Sequence, residues 1–320
     1  MLSTAFTKLV GCAAPIQQAG MGGAATPALA AAVADAGALG MVNLVMVPAD
    51  EVAAALEQLR RGTSGTVGFN VLMPFLDPAV VEAAASRVHV VEFFYGNPDP
   101  AWVDRVHEGG ALAAWQVGSV PEAKAAADAG CDFVIAQGAE AGGHVRGQIS
   151  LLPLLDGVLE AVEVPVLAAG GIATARGLAA VLAGGAAGAR VGTRFLATSE
   201  SNAHPAYIDA LIRAGSGDTV LTTAFSVMWP DAPHRVLRSC IEAAEALPGD
   251  TAGEMAIGAL TMPVPKFSVP SPTRDTTGTI EAMALYAGQS VGATSTVTPA
   301  GEVVRELTGG AERLLRSALS

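Results

Sequence analysis

Eight short apolar runs, each followed by a turn and an alanine-rich stretch, fill the first 215 residues of this 320-residue chain. Such runs are typical of parallel strands buried on both faces. Eight strand–helix units of this length predict a (β/α)8 barrel, the TIM-barrel fold. An open doubly wound sheet is the alternative, but its phosphate loop would follow the first strand, whereas the glycines here are densest after the last three. The predicted strands are 16–20, 39–44, 66–72, 88–95, 111–117, 131–137, 164–169 and 189–192.

The regular pattern stops after residue 215. One further strand is predicted at 219–225, and the stretch 261–278 is rich in Pro, Thr and Ser. We therefore predict a smaller helical, loop-rich C-terminal subdomain at 216–298 on the substrate side, and a barrel made of residues 1–215 plus 299–320. The helices predicted beyond residue 215 are 233–247, 279–287 and 301–319.

The composition limits the partners that the chain can have. Hydrophobic residues make up 51% of the sequence, yet no apolar run reaches the length of a membrane span, so a buried sheet explains the value better. A net charge of −12 argues against nucleic acid and against an anionic membrane surface. Three cysteines without metal-like spacing indicate free thiols in a reducing cytoplasm. A small molecule is the expected partner, and a homo-oligomer is left open.

Glycines after the last two barrel strands predict a phosphate site. Ala169, Gly170 and Gly171 follow the seventh strand, and Gly192 and Thr193 follow the eighth. Backbone amides at these positions can hold a phosphate without any lysine, and in barrels this pair of loops is the common phosphate position. The alternative is that the glycines only permit tight turns, but two such sites on adjacent strands favour phosphate binding.

Amide side chains at strand ends predict a second recognition element. Asn70, Gln116 and Gln137 lie in or at the end of the third, fifth and sixth strands. Together they could hydrogen-bond the edge of a flat heterocycle such as a flavin, although each could instead be satisfied by loop backbone. Met21 and Gly22, after the first strand, suit a backbone that lies against such a ligand.

His144 is the candidate catalytic residue. It follows Gly142 and Gly143 just past the sixth strand, where ligands bind in α/β folds, and there it could act as a general base. Glu140 is interpreted as an anchor of this loop. The remaining histidines, which have no comparable context, are His89, His107, His204 and His234.

Five segments together resemble the nitronate monooxygenases, formerly called 2-nitropropane dioxygenases. They are PIQQAGMGG at 15–23, GFN at 68–70, QGAEAGGH at 137–144, AAGGI at 168–172 and GTRFL at 192–196. The resemblance runs from about residue 9 to 215 and more weakly through 286–289. One departure is Gly20, where the family often has proline, and this departure leaves the role of Met21 open.

The resemblance implies a barrel with a smaller helical domain and an FMN cofactor. The phosphate would lie on Gly171, Gly192 and Thr193, and the flavin ring near Met21, Asn70, Gln137 and Gly143. His144 would take the α-proton of a neutral nitroalkane, and the nitronate would then be oxidised with O2 to a carbonyl compound and nitrite.

Other functions stay open at the level of sequence. A flavin-dependent enoyl-acyl carrier protein reductase, which would use NAD(P)H, shares the Gly-Gly-His loop. A flavin-binding sensor without turnover and a phosphosugar isomerase are more distant alternatives.

Overall fold

A closed barrel of eight parallel strands forms the centre of the molecule. The computed structural model describes residues 2–257 and 260–318. The barrel strands pair in the order β1-β9-β8-β6-β5-β4-β3-β2, and a bridge between Gln17 and Leu39 joins β1 to β2. The predicted (β/α)8 barrel is confirmed. Its strands are β1 Ile16–Gln18, β2 Gly40–Val42, β3 Val67–Leu72, β4 Val90–Phe94, β5 Leu112–Val117, β6 Phe133–Gln137, β8 Val166–Ala169 and β9 Gly188–Val191, and a short strand outside the barrel, β7 Gly143–His144, follows β6.

The helices begin where capping residues predict that they should. The side chains of Thr26, Asp77 and Ser119 each accept a hydrogen bond from an amide in the first turn of the next helix. The helices are α1 Ala5–Val10, α2 Pro27–Asp35, α3 Ala49–Gly62, α4 Pro78–Ala85, α5 Pro100–Glu108, α6 Val120–Asp128, α7 Leu151–Ala161, α8 Ala175–Ala183, α9 Thr193–Leu196, α10 Pro205–Arg213, α11 Arg238–Ala246 and α12 Ala300–Ala318. Within the described residues, no helix combines the length and apolar character needed to cross a bilayer.

The barrel interior is apolar at one end and polar at the other. At the end where the strands begin, Phe6 and Val10 of α1 pack into the same cluster as the inward-facing Phe133 and Leu167. The rings of Phe6 and Phe133 meet edge to face, with centroids 5.4 Å apart. Nearer the carboxyl ends of the strands, the interior carries buried polar side chains: Gln17, Asn70, Glu92, Gln116 and Arg190.

The predicted helical character of 216–298 needs correction, because this segment contains more strand than helix. Its only α-helix among the described residues is α11, and 279–287 forms just one 3-10 turn, at Ile280–Ala282. The helix predicted at 233–247 starts late because β11 finds partner strands on both sides, β10 and β7. The strands of the segment are β10 Thr219–Thr222, β11 His234–Leu237, β12 Thr251–Ile257, β13 Leu260–Pro265 and β14 Thr277–Gly278.

Two hydrophobic cores meet at the carboxyl ends of the barrel strands. One core joins the outside of the barrel to its helices, and it includes Val303 and Leu307 of α12, the helix that packs between α8 and α2. The second core lies within 216–298 and also takes in Tyr207 and Leu211 of α10. This second core places the segment against the end of the barrel where the sequence predicts a site. The division of the chain at residues 216 and 299 stays a prediction.

Candidate active site

A cleft rich in glycine opens at the carboxyl ends of β1, β6, β8 and β9. We call it the glycine cleft. Ala19, Arg190, Gly288 and Ser290 contribute to its walls. It also brings together a large part of the predicted cofactor-binding set: Gln137, Gly142, Ala169, Gly170, Gly171, Gly192 and Thr193.

The backbone of the glycine cleft presents free amides. Gly170 and Gly171 have φ values of 106° and 68°, in the left-handed region that favours glycine. Across the described part of the chain, the amides of Gly171, Gly192 and Thr193 donate to no protein acceptor. Backbone N–H groups that converge without partners form a surface suited to an anion such as phosphate.

The Gly-Gly-His hinge is fixed from both sides. On the barrel side, Gln137 donates from Nε2 to the carbonyl of His144 at 2.9 Å. On the other side, β7 pairs with β11, so that His144 lies opposite His234. Arg235 of β11 also donates from Nη2 to the carbonyl of Ala139 at 2.8 Å. Glu140 accepts the amide of Leu151, and this contact fits its interpretation as an anchor of the loop.

His144 lies in a cluster of rings that we call the His144 cluster: Tyr95, His144, Trp229, His234 and Tyr286. Trp229 stacks on the imidazole with ring centroids 3.9 Å apart and planes 16° apart. Tyr95 meets His144 edge-on at 5.8 Å, and Tyr286 lies 5.6 Å away. Tyr95 has a φ of 66°, an uncommon value for a residue with a side chain and one that is found at functional sites.

The His144 cluster keeps the imidazole neutral. Burial, and secondly the charge of His234, lower the pKa of His144 to about 3. Nε2 of His144 is buried and has no hydrogen-bond partner among the described residues. His234 is satisfied, because the Phe225 amide donates to Nε2 and the Ala232 carbonyl lies 2.8 Å from Nδ1. Nε2 of His144 is therefore an unpaired buried polar atom, which a ligand that reaches the cluster would satisfy.

A buried ion pair lies in the polar end of the barrel. Nη2 of Arg190 is 2.6 Å from Oε1 of Glu92, and Glu92 has no exposed surface. Asn70 donates to the same carboxylate oxygen at 2.7 Å, and Gln17 donates to the other at 2.5 Å. Arg190 also donates from Nη1 to Gln116. Burial raises the pKa of Glu92, whereas the Arg190 charge and these hydrogen bonds oppose the rise.

The three predicted amides have different partners. Asn70 is fully engaged, because it donates to Glu92 and its Oδ1 accepts from Asn43 at 2.7 Å. Both ends of the Gln137 amide contact the backbone of the hinge. Only Gln116 keeps a buried nitrogen, Nε2, without a partner in the described chain. The roles of these residues toward a cofactor stay predictions.

The first loop packs beside this network. Gly20 has a local reason to be glycine, since a Cβ there would lie 2.5 Å from Cβ of Asn70. Met21 is half-buried between the two hydrophobic cores, and a Cβ on Gly22 would lie 3.6 Å from Asn43. The segment at 286–289, where the family resemblance is weaker, reaches the site, because the amide of Gly288 donates to Thr193 at 3.0 Å.

Several residues at the site were difficult to predict from the sequence. Glu92 is a lone charge in the apolar run VVEFF, and such a charge requires a buried partner, which was the available signal. Arg190 in GARV carries the same signal. No sequence signal pointed to Trp229, because it lies in an irregular loop and reaches His144 only through the tertiary fold.

An apolar cleft of about 210 Å³ lies beside the His144 cluster, between the loops that follow β2 and β3. Phe75 connects the apolar cleft with the His144 cluster, because it lines the cleft and its ring meets that of Trp229 edge to face at 5.3 Å. Asp77 is the one charged side chain among the described lining residues. Asn70 lies at the boundary between this cleft and the buried network.

A barrel with a glycine-lined cleft and a neutral histidine at its rim is typical of enzymes that bind a phosphorylated ligand and transfer a proton. The chain belongs to the nitronate monooxygenase family, whose model matches residues 3–85 and 76–310. The resemblance found in the sequence is thereby confirmed.

Individual relatives differ in their stated chemistry. The crystal structure of nitroalkane oxidase from Streptomyces ansochromogenes is similar with a TM-score of 0.81 and 32% identity, covering 99% of this chain and 100% of that one. FabK from Thermotoga maritima gives a TM-score of 0.81 and 30% identity over 100% and 99% of the two chains. The (3aS,4S,5R,7aS)-5-hydroxy-7a-methyl-1-oxo-octahydro-1H-indene-4-carboxyl-CoA dehydrogenase of Mycobacterium tuberculosis (strain ATCC 25618 / H37Rv) is 38% identical over 242 residues, 74% of this chain and 67% of that relative.

Proposed function

We propose that the chain is an FMN-dependent nitronate monooxygenase that oxidises alkyl nitronates with O2 to carbonyl compounds and nitrite. The observation that carries the proposal is the position of His144. Its imidazole is neutral, its Nε2 is free, and its hinge also forms a wall of the glycine cleft. A proton-transfer group on a loop that borders an anion site suits a flavin enzyme whose substrate reacts at an acidic carbon.

The residues of the glycine cleft fit FMN. The free amides of Gly171, Gly192 and Thr193 suit its phosphate. The free nitrogens of Gln116 and Arg190 suit the acceptor atoms of its ring. Bound FMN would supply the electron transfer between nitronate and O2, while the protein binds and orients both.

His144 limits the form of substrate that reacts well. A group with a pKa near 3 is a weak base, and protonation would put a charge among the rings of the His144 cluster. A neutral nitroalkane needs a base to lose its α-proton, whereas a nitronate has already lost it. We therefore expect nitronates to be better substrates than the parent nitroalkanes.

The apolar cleft supports an alkyl substrate. Its lining offers no Lys or Arg among the described residues, and Asp77 would repel an anionic carrier. Oxidation or reduction of an acyl thioester is the second candidate, which the similarity to a carboxyl-CoA dehydrogenase favours. Among the alternatives that the sequence leaves open, this candidate corresponds to an FMN- and NAD(P)H-dependent enoyl-acyl carrier protein reductase.

Two assays on the purified protein separate these candidates. We expect a flavin absorption spectrum that bleaches when propyl nitronate is added without oxygen, and nitrite release when air is admitted. NADH oxidation with a crotonyl thioester, in the absence of nitrite release, would establish the reductase instead. A colourless protein that takes up no FMN would exclude both.

His144→Ala tests the role of the imidazole. Activity on neutral 1-nitropropane should fall by about 10²- to 10⁴-fold because proton abstraction loses its base, while activity on propyl nitronate falls much less. His107→Ala is the matched control, since His107 is an exposed histidine on α5 that pairs with Asp132. Equal losses on both substrates would contradict the assignment of His144 as the base. A bound flavin that no substrate bleaches would instead favour a flavin-binding sensor without turnover.

A further inference from the structure

The ion pair between Glu92 and Arg190 is not needed for the proton transfer or phosphate binding described above. Glu92 is wholly buried, and three neighbouring side chains fill both of its carboxylate oxygens. Burying two charges carries a desolvation penalty, and well-packed apolar residues often stabilise a core equally well. The pair therefore calls for an explanation beyond packing.

Arg190 is the member of the pair that lies at the glycine cleft. Arg190 is one of the residues that line the glycine cleft, whereas Glu92 is wholly buried and is not among them. Nε of Arg190 is buried and has no partner among the described residues. Nε2 of Gln116, whose oxygen accepts from Arg190, is also buried and unpartnered. These two unsatisfied buried donors belong to one hydrogen-bonded pair of residues, of which Arg190 lines the cleft, and a ligand acceptor would satisfy them, because such groups are costly when left unpaired.

We propose that Arg190 and Gln116 bind the N1 and C2-carbonyl edge of the flavin, and that Glu92 is a positioning residue that sets the effective charge of Arg190. This inference rests on the proposed flavin function. Reduction of a flavin to its anionic form places negative charge on that edge, so a nearby cation stabilises the reduced form. The Glu92 carboxylate offsets part of that charge and accepts a hydrogen bond from the guanidinium, while Asn70 and Gln17 donate to the carboxylate and hold it in place.

Glu92→Gln tests the inference, with the midpoint potential of protein-bound FMN as the readout. The amide keeps the shape of the side chain but removes the negative charge, so the positive charge of Arg190 acts on the ring without offset. We expect the potential to become more positive. By linkage, reduced FMN should gain affinity over oxidised FMN on the order of tenfold. A role in packing alone would leave this ratio unchanged.

Glu82→Gln is the matched control. Glu82 pairs with Arg105 at 2.7 Å, a distance close to that of the buried pair, but on the exposed surface of α4 and α5. The same chemical change there should leave the potential and the FMN affinity as they are in the wild type.

A double variant, Glu92→Gln with Arg190→Gln, keeps the test valid if the single variant does not fold. It leaves no unpaired charge in the barrel, and neutral replacement of a buried pair is usually tolerated. Loss of the cation nearest the cleft should make the potential more negative than in the wild type. If neither variant folds, Gln116→Met leaves the ion pair intact, and weaker binding of FMN is expected.

The outcomes separate this inference from the proposed function. A folded, FMN-loaded Glu92→Gln protein with the wild-type potential would overturn the inference, and so would a double variant or a Gln116→Met protein that matches the wild type. In each case, nitrite release by the wild type would leave the proposed function standing. A wild-type protein that binds no FMN would overturn both.

Discussion

At the scale of single residues, His144 owes its neutral state to the rings around it. Trp229, Tyr95 and Tyr286 take the place of the water that would solvate an imidazolium, and His234 adds a like charge when it is protonated. The folded protein therefore holds His144 uncharged at pH values where the unfolded chain would protonate it.

This depressed pKa predicts a pH-dependent stability. The contribution of neutral His144 is fully present above its unfolded pKa of 6.5 and is lost as the pH falls toward its folded pKa of about 3, because the unfolded state then binds one more proton. Between pH 8 and pH 5, the wild type should lose about 2 kcal/mol of unfolding free energy more than His144→Phe, which keeps a ring to stack on Trp229. Urea titrations at both pH values measure the difference. Parallel pH profiles for the two proteins would refute the prediction.

The sequence indicated His144 but not its surroundings. A histidine after two glycines at the end of a buried strand is a local signal, and the fold places it where that signal predicts. The residues that set its pKa come from the loop after β4 and from the segment 216–298, and no local pattern connects them. Asn70 shows the same limit, since its spacing predicted a polar group at a strand end but not that Glu92 and Asn43 would occupy both ends of its amide.

At the scale of elements, the Gly-Gly-His hinge depends on close backbone contact with the segment at 286–289. A Cβ on Gly142 would lie 2.4 Å from the backbone nitrogen of Gly288, and no side-chain rotation relieves such an overlap. The Gln289 amide donates to the Glu140 carbonyl at 3.0 Å, so a hydrogen bond also joins the two backbones.

Gly142→Ala should therefore destabilise the protein by about 1–3 kcal/mol and weaken FMN binding, since the hinge must shift away from Gly288. Gly62→Ala at the end of α3 is the control, because a methyl group there meets nothing within 4 Å. Denaturant unfolding and fluorescence titration with FMN measure the two effects. Wild-type values for Gly142→Ala would show that the hinge tolerates the displacement.

Element boundaries were predictable where the signals are local. Helix starts at Thr26, Asp77 and Ser119 follow from side chains that cap their own helices. The strand β11 was predicted as the start of a helix because the four residues His234–Leu237 are too few to show a strand period, and so short a segment does not distinguish the two structures. Its strand pairing with β7 and β10 is decided by partners that are distant in the chain.

At the scale of the whole molecule, the last helix completes the layer around the barrel. α12 packs against α8 and α2, and Leu307 is fully buried in that contact. The contact joins the end of the chain to elements near its beginning, so the stability of the barrel depends on residues that the barrel strands do not contain.

Leu307→Ala should lower the unfolding free energy by about 2–4 kcal/mol because it leaves a cavity in this contact. Leu314→Ala, on the same helix at a position that is 37% exposed, should cost less than about 1 kcal/mol. Thermal and urea denaturation of both variants measure the difference. Equal effects would mean that α12 does not carry part of the barrel core.

Phe6 and Val10 fill the end of the barrel opposite the glycine cleft. Among the described residues that end is closed, so under the proposed function cofactor, substrate, O2 and products would all enter and leave on the side that 216–298 covers. Binding and release would then occur one after the other, because a molecule bound beside Trp229 blocks the entry or exit of the next. Slow release of a bulky carbonyl product would then limit the rate at which O2 reaches the flavin, and turnover would fall with product size even where the chemistry is unchanged.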